Sequence, residues 1–236
     1  MARSDKPRAV VGTAVVCALI TLGALVTAGV LRHERAAPDR LAEDVPPATT
    51  TGPGADGCSA EPCTVQRVTI GGTSVQLVVD ASGRSGQLQI GGGGASFVNE
   101  ATITGYGATL GQDALRCVGG SLAACLVRGP GPEGTYGQVV VGRSAKWAST
   151  EKPFVSDASF VGLQEVTGRQ TGPEVLVAQH RCDRAATADC SATPLHLRMF
   201  SVDGELVGCT RDYARLESIP GWPAPELTQA SIRPCE

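Results

Sequence analysis

In residues 195–209, LHLRMFSVDGELVGC, the apolar Leu195, Leu197 and Met199 alternate with His196 and Arg198. Alternation with a period of two marks a strand with one face buried. Asp203-Gly204 follows and predicts a type I′ hairpin turn, in which both central residues need φ > 0. A second strand runs over 205–209. The same grammar repeats outward from here, as short β-type runs separated by Gly, Ser and Pro. They fall at 64–70, 74–80, 87–90, 97–104, 123–128, 137–143, 160–167, 174–180, 195–202 and 205–209. Val75-Gln76-Leu77-Val78-Val79 alternates in part. Helix signals are confined to 211–219 and 225–232, each sufficient for a short helix or helical turn. The expected fold class is mainly β, a propeller-like or sandwich domain spanning residues 58–236.

The core of such a domain must come from Val, Leu, Ile and Ala, because the chain has only 2 Trp, 3 Tyr and 4 Phe. Small apolar side chains each remove less area from water, and burial stabilises by about 25 cal/mol per Å². Cross-links offset the deficit. Of 9 Cys, eight lie in this domain: Cys58, Cys63, Cys117, Cys125, Cys182, Cys190, Cys209 and Cys235. An even count reads as a disulfide framework. Cys117–Cys125 and Cys182–Cys190 each bracket a short polar or small-residue stretch, as a clamped hairpin would. Cys58–Cys63 closes a small ring, which leaves Cys209 with Cys235. Zinc is the rival reading, but only Cys58-x4-Cys63 has knuckle spacing, and neither His180 nor His196 completes a site. Disulfides persist in oxidising compartments, so this domain is expected outside the cytoplasm.

Upstream, the 23 residues from Ala9 to Leu31, AVVGTAVVCALITLGALVTAGVL, carry no charge. As a helix they are about 34 Å long, enough to cross a hydrocarbon core of about 30 Å. Arg3, Lys6 and Arg8 precede the segment, while Arg32, Arg35 and Arg40 follow it, so charge alone nearly ties the orientation. The cysteines decide it: residues 1–8 form a cytoplasmic tail, 9–31 a single transmembrane helix, and the rest lies outside. The competing reading is a cleaved secretory signal ending near Ala28, but the apolar run exceeds the 7–15 residues of a signal core. Residues 32–57 follow as a linker, and 36–57, AAPDRLAEDVPPATTTGPGADG, lack an apolar period and any aromatic residue. As a coil this stretch spans about 25 Å.

From Ala36 onward there are 15 basic and 21 acidic residues, a net of −6. That excess disfavours bulk attraction to nucleic acid, anionic lipid headgroups or teichoic acids. Only Lys146 and Lys152 are lysines in this part. The preference for Arg, with abundant Ala and Gly, fits a GC-rich bacterial genome.

Motifs that suggest chemistry fail on context. Residues 52–57 and 129–134 both match G-x-G-x-x-G, yet neither stands between a strand and a helix, as dinucleotide binding requires. Ser149-Thr150-Glu151-Lys152 matches the S-x-x-K of penicillin-recognising enzymes, but Pro153 drives Lys152 out of the helical region. His180 ends an apolar run and has the chemistry of a general base, with no nucleophile at local spacing. No catalytic, cofactor-binding or metal-ligating residue is assigned. Leu115-Arg116-Cys117 and His180-Arg181-Cys182 echo each other and suggest two related β-units.

Residues 160–180, FVGLQEVTGRQTGPEVLVAQH, carry Glu165, Val166, Thr167, Gly168, Pro173, Glu174 and an apolar strand at 175–177. This pattern resembles one repeat of the FG-GAP/VCBS-type β-propellers. In that family the central acidic loop often holds calcium, which wants several oxygen ligands. Here Arg169 stands where the central Asp is expected and an extra residue precedes Pro173, so the resemblance implies a β-fold without calcium.

The expected function is a membrane-anchored, extracytoplasmic binding or scaffold module for an envelope protein or glycan, with no nucleic-acid partner. The Gly-rich loops at 91–94 and 129–137 are candidate contact loops, since β-scaffolds present loops to partners. The alternative is an envelope-acting hydrolase built on His180 with a neighbouring carboxylate or Ser.

Overall fold

A computed structural model describes residues 48–52 (backbone), 57–91, 97–120, 122–143, 146–168, 172–182 and 190–235. All of these belong to one compact unit within residues 44–236. Its architecture is mainly β and fully antiparallel.

The first sheet is a meander of β1 (Ala48–Gly52), β2 (Cys63–Ile70), β3 (Thr73–Val79), β4 (Gly86–Ile90) and β5 (Phe97–Glu100), in that order. The second contains β6 (Leu115–Val118), β7 (Ala123–Gly131) and β8 (Gly134–Arg143), and the outer edge of β8 is shared by β9 (Lys146–Ser149) and β10 (Phe154–Ser156). The third is again a meander: β11 (Val161–Gln164), β12 (Glu174–His180), β13 (Leu195–Ser201) and β14 (Leu206–Cys209).

The sheets are stacked, and the sequence pattern of each strand reports its layer. In β7, Cys125 and Val127 face the first sheet and join Val75, Leu77, Leu88 and Ile90 in one core. Ala124 and Leu126 point the other way and meet Val161, Val175 and Val177 of the third sheet. A strand buried on both faces reads as a continuous apolar run, as 123–127 does. In β12, Leu176 and Ala178 turn away from the second sheet and pack with Leu197 and Met199 under a C-terminal cover of Tyr213, Ile219 and Leu227. By contrast β4 belongs to an end layer, so Gln87 and Gln89 alternate with the buried Leu88 and Ile90. Each fully buried Leu, Val or Ile contributes about 1.5–3 kcal/mol.

Four disulfides staple this stack. Cys58–Cys63 closes the entry to β2, and Cys117–Cys125 joins directly paired residues of β6 and β7, with Cα atoms 6.0 and 4.0 Å apart. Cys182–Cys190 brackets the connection from β12 to β13, and Cys209–Cys235 ties β14 to the C-terminal segment, with Cα separations of 5.7 and 5.0 Å.

The fold differs from the sequence expectation at several points. The strand expected over 97–104 stops at Glu100, and residues 102–106 form a 3-10 turn. Its β-branched run is overridden because the Thr102 amide donates to Gln138 Oε1 at 2.7 Å, which ends the ladder, and Ile103 is buried below. The Asp203-Gly204 turn is not type I′, because only Gly204 has positive φ (89°). The Ser201 amide bonds Glu205 O and the Gly204 amide bonds Ser201 O, a three-residue loop with its left-handed residue last. Within the stretch read as linker, residues 48–52 form β1 and pair with β2, since a run of threonines suits an edge strand. By contrast, the helical turns expected within 211–219 and 225–232 are present, as 3-10 turns at Leu216–Ser218 and Gln229–Ser231. The tail 1–8, the apolar segment 9–31 and most of the linker lie outside the described residues. No helix among the described residues is long and apolar enough to cross a membrane.

Candidate functional site

His180, at the end of β12, does meet a carboxylate. Its Nδ1 lies 3.6 Å from Asp157 Oδ1, and its backbone amide donates to the same oxygen at 3.0 Å. The neighbouring hydroxyl, Ser156, is fully buried and already committed: it donates to Ala178 O at 2.6 Å and accepts the Phe160 amide at 3.0 Å. That pattern anchors β10 to the third sheet and leaves no hydroxyl proton for a histidine to take. Nearby, the buried His196 has an Nδ1 with no hydrogen-bond partner among the described residues. Burial first, and the Arg181 charge second, hold its pKa below the ordinary histidine value. Arg181 itself pairs with Asp212 at 3.0 Å. This cluster has the structure of a packed strand end.

The other sequence candidates also resolve into structure. Ser149 lies on β9, an extended strand, and its Oγ accepts Gln138 Nε2 at 2.8 Å, so the S-x-x-K match does not place Ser and Lys on a helix face. Residues 129–134 run through the β7–β8 hairpin, with Pro132 and Glu133 at its turn. Of the loop 91–94, only Gly91 lies among the described residues. In the stretch resembling a propeller repeat, β11 and β12 form an antiparallel pair, and the buried Glu174 carboxylate accepts the Val166 amide at 2.8 Å and the Thr167 hydroxyl. Its charge is thereby satisfied within the hairpin. Among the described residues no three His, Cys, Asp or Glu side chains are grouped to hold a metal ion.

A concave feature lies elsewhere, lined by residues of the second and third sheets. There the core between them opens into a groove of about 930 Å³, at the upper end of the range typical of ligand sites. Its floor is apolar: Val141, Phe154, Val177, Phe200 and Val202 line it, and the Phe154 and Phe200 rings lie 5.6 Å apart at 54°. Its rim is charged. Arg143 pairs with Asp203 at 3.3 Å across the mouth, and Lys146, Glu151 and Lys152 complete one wall. Beside the floor, Arg198 lies 5.1 Å from the Phe200 ring centroid and donates to Gln179 Oε1 at 3.0 Å.

Local sequence explains how these groups meet. β9 and β10 both pair with β8, so the connection 150–153 must run along the same sheet edge, and it carries Glu151 and Lys152 to the groove wall. On the opposite side, Gln179 on β12 and Phe200 on β13 project from the third sheet. Sequence reading passed over this groove. The available signal was that the only two lysines after Ala36 stand six residues apart within KWASTEKPF.

No protein-family model, curated protein or solved structure matches this chain.

Proposed function

We propose that the protein is a membrane-tethered, extracytoplasmic binding module that engages an envelope partner through the groove between its second and third sheets. Three observations support this reading. The uncharged residues 9–31 have the length and composition of a membrane-spanning helix. Four disulfides in a domain with a small-residue core suit an oxidising compartment. The observation that carries the binding role is the groove itself, with an apolar aromatic floor under a polar, charged rim, the arrangement typical of ligand sites. The likeness of residues 160–180 to a propeller repeat fits a scaffold role for the β11–β12 hairpin.

A second reading, an envelope-acting hydrolase, draws on the His180–Asp157 contact. One set of experiments separates the two. Protease added to intact cells should remove residues beyond the linker and leave the N-terminal tail protected. Envelope material incubated with the purified protein should be bound and not turned over. Turnover abolished by His180→Ala would overturn the binding reading, and protection of the whole domain from protease would overturn its location.

A further inference from the structure

We infer that the groove accepts an extended, acidic peptide segment, added as a strand to the outer edge of β9; this rests on the binding role proposed above. The register fixes which backbone groups of β9 are open. The Thr150 amide donates to Val139 O at 2.9 Å, and β9 pairs with β8 from Ser149↔Val140 to Lys146↔Arg143. In an antiparallel ladder, hydrogen-bonded and non-bonded pairs alternate. Lys146, Ala148 and Thr150 therefore turn their backbone groups to β8, while those of Trp147 and Ser149 face away. Among the described residues no strand pairs with that outer edge. An edge of alternating donors and acceptors is a template for another strand. A lipid chain offers neither donor nor acceptor to that edge.

The side chains specify the sign of the ligand. Lys146 lies on the groove face of β9 beside the exposed Ala148, and Lys152 stands on the same wall. Neither lysine has an ion-pair partner among the described residues, whereas Asp203 is occupied by Arg143. Lysines on an edge strand discourage self-association, and here they also present a local cation on a domain of net charge −6 after Ala36. At about 0.15 M salt the distant negative charges are screened beyond about 8 Å, so the rim dominates at contact, where Arg143, Lys146 and Lys152 stand against Glu151 and Asp203. An added strand would send alternate side chains toward the groove. In an alternating acidic-apolar segment the carboxylates would meet Lys146 and Lys152 on the groove face, and the apolar side chains would lie on the opposite face, that of Trp147.

The test uses the full-length protein in a mild non-ionic detergent and a fluorescein-labelled, acetylated six-residue peptide of alternating Glu and Val. Three comparison probes are the Lys-Val counterpart, the Glu-Val peptide with alternate amides N-methylated, and phosphatidylglycerol vesicles. The expected result is saturable binding of the Glu-Val peptide and at least about tenfold weaker binding of both comparison peptides. Lys146→Glu with Lys152→Glu should invert the preference toward the Lys-Val peptide, and hydrogen exchange should slow at the Trp147 and Ser149 amides when the Glu-Val peptide is bound. Equal binding of the N-methylated peptide, no peptide binding at all, or groove-dependent binding of vesicles alone would overturn the inference. Capture of an identified envelope partner by a photo-cross-linker in the groove, in the same protein that ignores the peptide, would leave the binding role standing while removing this ligand class.

Discussion

The Gln66 carboxamide, buried on β2, accepts the backbone amide of Leu115 at 3.0 Å across 49 positions of sequence. Its Nε2 donates to Gly111 O at 2.6 Å, so one side chain from the first sheet satisfies two backbone groups leading into the second. Gln138 does the same in reverse from β8, taking the Thr102 amide at 2.7 Å and donating to Glu100 O at 3.2 Å and to Ser149 Oγ at 2.8 Å. These two glutamines fix how the first two sheets sit on each other, which the nondirectional packing of Val and Leu would leave less defined.

Gln66→Leu keeps the volume and removes both bonds, leaving the Leu115 amide buried without a partner. An orphaned buried group costs about 1–3 kcal/mol. Urea unfolding should show a loss of that size, with an unchanged slope; a variant as stable as the parent would show that the cross-tie contributes nothing.

His196 makes stability depend on pH. Its folded pKa lies below the ordinary 6.5 because of burial, then the Arg181 charge. Below pH 6.5 the unfolded chain binds a proton that the folded chain does not, so stability should fall as pH drops from about 6.5 toward the folded pKa and be level above. His196→Asn should flatten the slope in that window whatever its effect on absolute stability. An identical slope in the variant, measured by denaturant unfolding between pH 7.5 and about 5, would assign the effect to other groups.

At Gly137 the second sheet packs tightly on the third: a Cβ there would lie 2.7 Å from Val161 Cγ1 and 2.9 Å from Leu126 Cδ1. Gly137→Val should overpack the interface and cost about 1–3 kcal/mol. Because Gly137 pairs with Phe154 of the groove floor, the melting temperature should drop together with groove binding.

Peptide mapping without reduction should recover Cys58–Cys63, Cys117–Cys125, Cys182–Cys190 and Cys209–Cys235 as linked pairs. The last spans 26 residues, and on the chain-entropy account its removal costs about 3.5 kcal/mol against about 2.5 for an eight-residue loop. Cys209→Ser with Cys235→Ser should therefore destabilise more than the paired change at Cys117 and Cys125. Free thiols on all eight cysteines would remove the argument for an oxidising compartment.

The β class was legible because strand periodicity and turn residues are local signals. The layer order was half-legible: the apolar run 123–127 marks a doubly covered strand, and the alternation at 87–90 marks an end layer. β6, β9 and β10 escaped reading because LRCV, KWAS and FVS are short and none alternates strictly between apolar and polar residues. The groove was invisible for a different reason. Phe154 and Phe200 are 46 residues apart, and no local pattern reports that β10 and β13 lie on facing sheets. The Asp203-Gly204 turn shows the limit of turn rules, since Ser201 Oγ accepts a further bond from the Glu205 amide at 3.1 Å and supports the longer loop.

The most direct test of the account is a photo-cross-linking amino acid placed at Ala148, exposed on the groove edge, and separately at Thr69, exposed on the first sheet. Illumination of intact cells should give a discrete adduct from position 148 with an envelope protein, identified by mass spectrometry. That adduct should be absent from position 69 and lost when Lys146→Glu and Lys152→Glu are added. Equal adducts from both positions, or an adduct with a cytoplasmic protein from position 148, would contradict the claim that an extracytoplasmic domain binds through this groove.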